Sequence, residues 1–232
     1  GRVRTFENGA LLAKNGNIAA VGPAEAVLEA ARREGPVDME VDCGMSCMIP
    51  GFVDPHTHLC FARRREREFS MRLGGKSYLE ILQAGGGILS SVRAVRGSTE
   101  EELYRVTLEN ALSALSFGTT TVEVKSGYGL STESELMMLR VIGKLALRTP
   151  LDVVPTFMGA HAVPEEYRGN PDGYVDLLVN EMLPAVAGQG IARFCDVFCE
   201  EGVFSVAQSR RILAAARALG LGLRIHADEV HD

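Results

Sequence analysis

The sequence predicts an α/β fold: the wall of a (β/α) barrel, about five strand–helix units long, behind a β-rich opening segment. Three observations predict it. From residue 51 onward, apolar runs of strand length alternate with stretches of helical apolar spacing. Strands separated by helices must pair in parallel, because a parallel return needs a crossover. About 180 of the 232 residues follow Pro50, enough for five of the eight units that a closed barrel of roughly 250 residues needs. A complete open five-stranded sheet is the simpler alternative.

Residues 10–13 and 18–21 read as short strands joined through Lys14-Asn15-Gly16-Asn17, where Asn-Gly supplies the positive φ angles of a tight hairpin. A helix is expected at 24–33, then an apolar-polar alternation near 39–41. Pro50-Gly51 breaks the pattern and divides the chain into segments 1–50 and 51–232. In the second segment, 52–59, 119–124, 153–158, 195–199 and 223–227 read as strands. Helices are expected at 99–115, 133–147, 173–186 and 206–219, the first opened by a capping box of Thr99 with Glu102. The long connection 60–98 follows a strand whose end lies at a barrel's active face, so it is read as functional. The fifth strand runs almost straight into Asp232 without a covering helix. A strand of buried type is then an edge, the expectation is a barrel cut short, and a homodimer through that edge is one outcome.

Composition narrows the function. Lys plus Arg total 24 against 30 Asp plus Glu, a net charge of −6, so no basic field exists to hold nucleic acid. No apolar run approaches the roughly 20 residues that span a bilayer, and no signal-peptide pattern opens the chain; the expected compartment is the cytoplasm, with no membrane partner. Cys43, Cys47, Cys60, Cys195 and Cys199 form no dense framework and read as reduced structural thiols.

The chemistry concentrates at predicted strand ends. In Asp54-Pro55-His56-Thr57-His58, residues two apart on an extended chain project to one face, so both imidazoles can meet one metal ion. His226, in Ile225-His226-Ala227-Asp228-Glu229, sits at the same end of the fifth strand, and parallel strands gather their C-terminal ends. Alone it reads as a hydrogen-bonded structural residue; with His56 and His58 it reads as a third ligand, suited to zinc or ferrous iron. His161, just past the third strand, is open to three roles: fourth ligand, proton shuttle or substrate partner. Lys125-Ser126-Gly127-Tyr128-Gly129 follows the second strand; its glycines allow a bend presenting Tyr128, and no P-loop pattern is present. His231 reads as a solvated terminal residue.

The run 50–59, the connection with Arg65, Tyr78 and Gly85-Gly86-Gly87-Ile88-Leu89-Ser90, and then Glu123-Val124-Lys125-Ser126-Gly127-Tyr128-Gly129, Pro155-Thr156-Phe157-Met158-Gly159-Ala160-His161 and His226-Ala227-Asp228-Glu229 together resemble imidazolonepropionase. The likeness covers nearly the whole chain. It implies a (β/α)8 amidohydrolase-type barrel, of which 51–232 is part, with 1–50 as part of a small N-terminal β-sandwich domain. The implied activity is metal-dependent opening of 4-imidazolone-5-propanoate to N-formimino-L-glutamate in histidine degradation. By the same resemblance His56, His58 and His226 hold one divalent ion, Zn(2+) or Fe(2+). Glu229 then handles the proton of the attacking water, and Arg65, Tyr78, Tyr128 and His161 bind substrate. Arg65 suits the propanoate, since guanidinium grips carboxylate through two parallel hydrogen bonds.

The family pattern also holds three further strand–helix units, with a metal-binding Asp on the eighth strand and an active-site His after the sixth. Without them the expectation is a chain inactive alone. Two other readings stand beside this one. A different amidohydrolase, such as a deaminase of a nucleobase-like ring, would share the metal strand without needing Arg65 and Tyr128. A non-enzymatic scaffold would lack metal.

Overall fold

The computed structural model describes residues 3–77, 80 and 86–229 and divides into two compact units, Gly1–Pro50 and Gly51–Asp232. In the first unit β1 (Gly9–Lys14) pairs antiparallel with β2 (Asn17–Pro23), Lys14 opposite Asn17. The two residues between them, Asn15 and Gly16, take φ of 52° and 75°, the turn whose twist matches that of paired strands. Helix α1 (Ala24–Glu34) buries Val27 and Ala31, one turn apart on the same face. The alternation at 39–41 forms no strand: Met39 and Val41 are exposed in an irregular stretch. Among its described residues, the regular structure of this unit is a hairpin and a helix.

The second unit is built on five parallel strands in sequential order: β3 (Phe52–Asp54), β4 (Thr119–Lys125), β5 (Asp152–Ala160), β6 (Phe194–Phe198) and β7 (Gly222–His226). Sequential order with right-handed crossovers puts every connecting helix on one face, as in a curled barrel wall, whereas a doubly wound sheet reverses direction. The crossovers are α4 (Glu100–Ser116), α5 (Thr132–Arg148), the pair α6 (Pro171–Leu177) and α7 (Leu183–Gln189), and α8 (Val206–Ala218). Their apolar faces, with Leu139, Ile142, Leu145, Val186, Ile212 and Ala216, enclose Val122, Val124, Phe157, Cys195 and Val197 of the sheet in one core.

Two elements differ from expectation. The strand read at 52–59 stops at Asp54, because Pro55 has no N–H for the ladder; beyond it Thr57 alone stays tied to β4, accepting from Lys125 N. The helix read at 173–186 contains a π-helical turn, Leu178–Met182, where Leu183 N–H reaches back to Leu178 O. Pro184, which has no N–H to give, follows immediately.

The capping box is present: Glu102 N–H donates to Thr99 Oγ1 and Thr99 N–H to Glu102 Oε2. A second, Ser205 with Gln208, opens α8. The connection 60–98 contains α2 (Glu66–Leu73) and α3 (Ile88–Arg96). From α3, Arg96 donates to the carbonyls of Gly129 and Leu130, which seats the connection on the loop after β4. Among the described residues, no helix is long and apolar enough to cross a membrane.

Candidate metal centre

His56 and His58 follow β3 and His226 ends β7, the two outer strands of the five-stranded sheet. In a flat sheet four inter-strand steps of about 4.8 Å would hold those strands about 19 Å apart. The curl of the sheet closes that gap. Ring centroids are 5.4 Å apart for His56 and His58, 4.5 Å for His56 and His226, and 5.3 Å for His58 and His226. One nitrogen from each ring lies within 4.8 Å of the others, and Nε2 of His58 is 3.2 Å from Nε2 of His226.

Such spacing suits a cation. Two imidazole nitrogens each 2.0–2.1 Å from one zinc at tetrahedral angles stand about 3.3 Å apart. Burial first, then the neighbouring His161, His226 and His56 rings, push His58 down to about 3. His56 is lowered as well, chiefly by burial. Neutral imidazole is the form that ligates, so the rings need lose no proton at pH 7.

His161, directly after β5, stacks on His58 at 4.7 Å with the planes 22° apart. Its Nδ1 is 3.0 Å from Gly127 O. A carbonyl only accepts, so Nδ1 carries the hydrogen and Nε2 of the neutral ring is a bare acceptor. Burial holds His161 down at about 4 despite that bond. Tyr128 lies 5.2 Å from the His161 ring and 6.0 Å from His58. Burial raises its hydroxyl pKa, and the nearby Arg65 guanidinium opposes that rise. Arg65 itself precedes α2, is half-exposed, and meets Glu68 only at 3.6 Å.

Other predicted positions are not gathered in this way. Glu229 is exposed, and its backbone N–H donates to Glu200 Oε2 at 3.3 Å; among the described residues its carboxylate hydrogen-bonds none of the histidines. Tyr78 and His231 lie outside the described residues, as does Gly85.

Two groups of residues were not read from the sequence. On the sheet face opposite the helices, Lys125 Nζ is 2.6 Å from Glu123 Oε2 and 2.7 Å from Asp196 Oδ2, all three side chains being 1–2% exposed. Arg224 Nε is 3.0 Å from Glu123 Oε1, and His226 Nδ1 is 3.1 Å from Asp196 Oδ2. Burial works to raise Asp196, but its contacts with His226 and Lys125 prevail and hold it below the usual carboxylate range. The signal was present: Glu123 with Lys125, and Arg224 with His226, are charged or polar pairs two apart in otherwise apolar strands.

The second is Glu135 of α5, fully buried, which accepts from the N–H groups of Gly127, Gly129 and Leu130 at 2.8–3.2 Å. This carboxylate shapes the loop that carries Tyr128. Gly127, at φ 108°, must be glycine, because a Cβ would stand 2.8 Å from Met158 O.

Curated relatives agree along the length of the chain. It is 63% identical over all 232 residues to the imidazolonepropionase of Syntrophobacter fumaroxidans, covering 54% of that protein. It is 61% identical over 232 residues to that of Desulfotalea psychrophila, covering 56%, and 55% identical over 229 residues to that of Haloarcula marismortui, covering 54%. The chain thus spans about half the length of the curated relatives it matches. No family model matches it. By sequence, the chain is similar over nearly its whole length to the imidazolonepropionases.

Proposed function

We propose that this chain carries the metal-binding half of a cyclic amidohydrolase that opens 4-imidazolone-5-propanoate to N-formimino-L-glutamate. The observation that carries the reading is the convergence of His56, His58 and His226, from opposite edges of one sheet, to nitrogens within 4.8 Å. The relatives' shared name supplies the substrate. His56, His58 and His226 would hold one Zn(2+) or Fe(2+) ion, which when bound lowers the pKa of water toward neutrality.

The chain's own residues then have these tasks. Arg65, half-exposed and loosely held by Glu68, pairs with the propanoate of the substrate. Tyr128, 5.2 Å from the His161 ring and within the electrostatic reach of Arg65, lines the ring site. His161, with Nδ1–H engaged by Gly127 O, offers Nε2 as an acceptor for a ring N–H. Glu229 takes a proton from the attacking water and returns it to the ring nitrogen as the C–N bond breaks. Tyr78 joins the substrate side by resemblance. The protein acts in the cytoplasm on a small molecule. Within the superfamily, the Arg65 and Tyr128 pairing favours a carboxylate-bearing substrate over the bare ring of a nucleobase.

Metal stoichiometry of the purified chain tests the centre. One zinc or ferrous ion per chain, lost in both His56→Ala and His226→Ala, is expected; no binding, or binding untouched by either change, refutes it. Calorimetry with 4-imidazolone-5-propanoate tests the substrate side. Arg65→Ala should weaken binding at least tenfold, and equal binding by parent and variant would remove Arg65 from the site.

A further inference from the structure

Beneath the three imidazoles lies a charge-balanced quartet, Glu123 and Lys125 of β4, Asp196 of β6 and Arg224 of β7, none of which the proposed reaction uses. Two carboxylates face two cations, so the formal charges of the quartet cancel. Each member also reaches the ligand-bearing segments. Arg224 Nη1 donates to Pro55 O, the residue before His56, at 3.3 Å. Thr57, between the first two histidines, donates from Oγ1 to Glu123 O and accepts at its carbonyl from Lys125 N. On the other side, Asp196 Oδ2 takes Lys125 Nζ at 2.7 Å and stands 3.1 Å from His226 Nδ1, at 2% side-chain exposure.

We infer that Asp196, held by Lys125, is the positioning residue for His226: it keeps the hydrogen on Nδ1 and turns Nε2, bare, toward His58. The inference rests on the metal-centre reading and adds to it the residue that sets the ligand's tautomer. Three facts carry it. The Asp196 carboxylate can only accept, so a neutral His226 facing it must donate from Nδ1. The Nε2 atom on the far side of the ring is the one that stands 3.2 Å from His58 Nε2. Lys125 takes the same oxygen and has no acceptor of its own, which pins the carboxylate in place. His226 Nδ1 stands 3.1 Å from Asp196 Oδ2 without meeting hydrogen-bond geometry in this structure, and catalytic-site hydrogen bonds commonly tighten only when the site is filled. Ligating histidines generally show this pattern, and loss of the outer carboxylate costs about 10–100-fold in metal affinity.

Two readouts on the full 232-residue chain decide the matter. Long-range proton–nitrogen correlation of nitrogen-15 histidine in the metal-free chain at pH 7 should show His226 protonated at Nδ1 alone. In Asp196→Asn the tautomer preference should weaken, and zinc affinity by chelator competition should fall about 10–100-fold. Should that variant fail to fold, Lys125→Met with Asp196→Leu removes one cation and one anion together and keeps the site neutral; it too should lose the tautomer preference and the affinity. A His226 carrying its hydrogen on Nε2, or a folded variant with parental zinc affinity, overturns the inference. A parent chain that binds no zinc but shows the Nδ1 tautomer would refute the metal centre and leave the positioning role standing.

Discussion

His58 and His226 bring their Nε2 atoms to 3.2 Å across 168 residues of chain, from opposite edges of one parallel sheet. The two rings crowd one point, and burial, with the neighbouring rings, pushes His58 down to about 3. The geometry that suits a cation therefore also sets how the protein responds to acid.

In the metal-free chain, acid should unfold the second unit early. His58 takes its proton only near 3 and His161 near 4, against 6.5 for a free ring, in both cases chiefly because they are buried. Below about pH 6.5 the unfolded chain thus binds more protons than the folded one, so stability is whole above that pH and drains away as pH falls toward the folded values. Between pH 6.5 and 5 the loss is at most about 2 kcal/mol per ring. Urea denaturation in the presence of chelator should give a clearly lower midpoint at pH 5 than at pH 7. Equal midpoints would mean the rings are not buried as described.

Removing the Glu135 carboxylate should collapse the loop after β4. Glu135→Ala strands the N–H groups of Gly127, Gly129 and Leu130, each worth about 1–3 kcal/mol when buried and unpaired. A cost of about 3 kcal/mol or more is expected, with Glu135→Gln milder because one acceptor oxygen is kept. Faster amide exchange at Gly129 and Leu130 in the alanine variant would accompany it. A loss under 1 kcal/mol would show that the loop holds itself.

Two glycines should respond to alanine with opposite signs. Gly127→Ala places a Cβ against Met158 O at a φ of 108° and should cost about 1–3 kcal/mol. Gly188, inside α7, has open space around its Cβ position, so Gly188→Ala should stabilise by about 0.5–1 kcal/mol. Thermal melts of the two variants check both signs at once.

Thiol labelling should separate the cysteines by depth. Cys43 and Cys47 are exposed, whereas Cys60 and Cys195 are fully buried, and burial pushes Cys60 up to about 12 and raises Cys195 as well. The thiolate is the reactive form, so iodoacetamide at pH 8 should mark Cys43 and Cys47 and spare Cys60 and Cys195 until denaturant is added. Peptide mass analysis reads the pattern; labelling of Cys195 in the folded chain would contradict the packing of β6.

Much of the site was legible because its signals are local. The His-x-His pair, the strand-end position of His226 and the glycines around Tyr128 are each read within a few residues, and parallel strands put such ends on the same side of the sheet. The capping box of Thr99 was legible for the same reason: it closes over three residues. The strand read over 52–59 overran because hydrophobic pattern says little about where a ladder stops, and the missing N–H of Pro55 decides it.

What the residues by themselves determine here is the alternation of strand and helix and the set of imidazoles placed at strand ends. Periodicity and short-range hydrogen bonds act between neighbours in the chain, so both can be read without coordinates. Tertiary structure alone decided that the sheet curls far enough for the His58 and His226 rings to meet, that Asp196 stands behind His226, and that Glu135 gathers three amides of the Tyr128 loop. Those relationships join residues up to 168 positions apart, and only the twist of the sheet and the burial of its charges select among the pairings that the composition would allow.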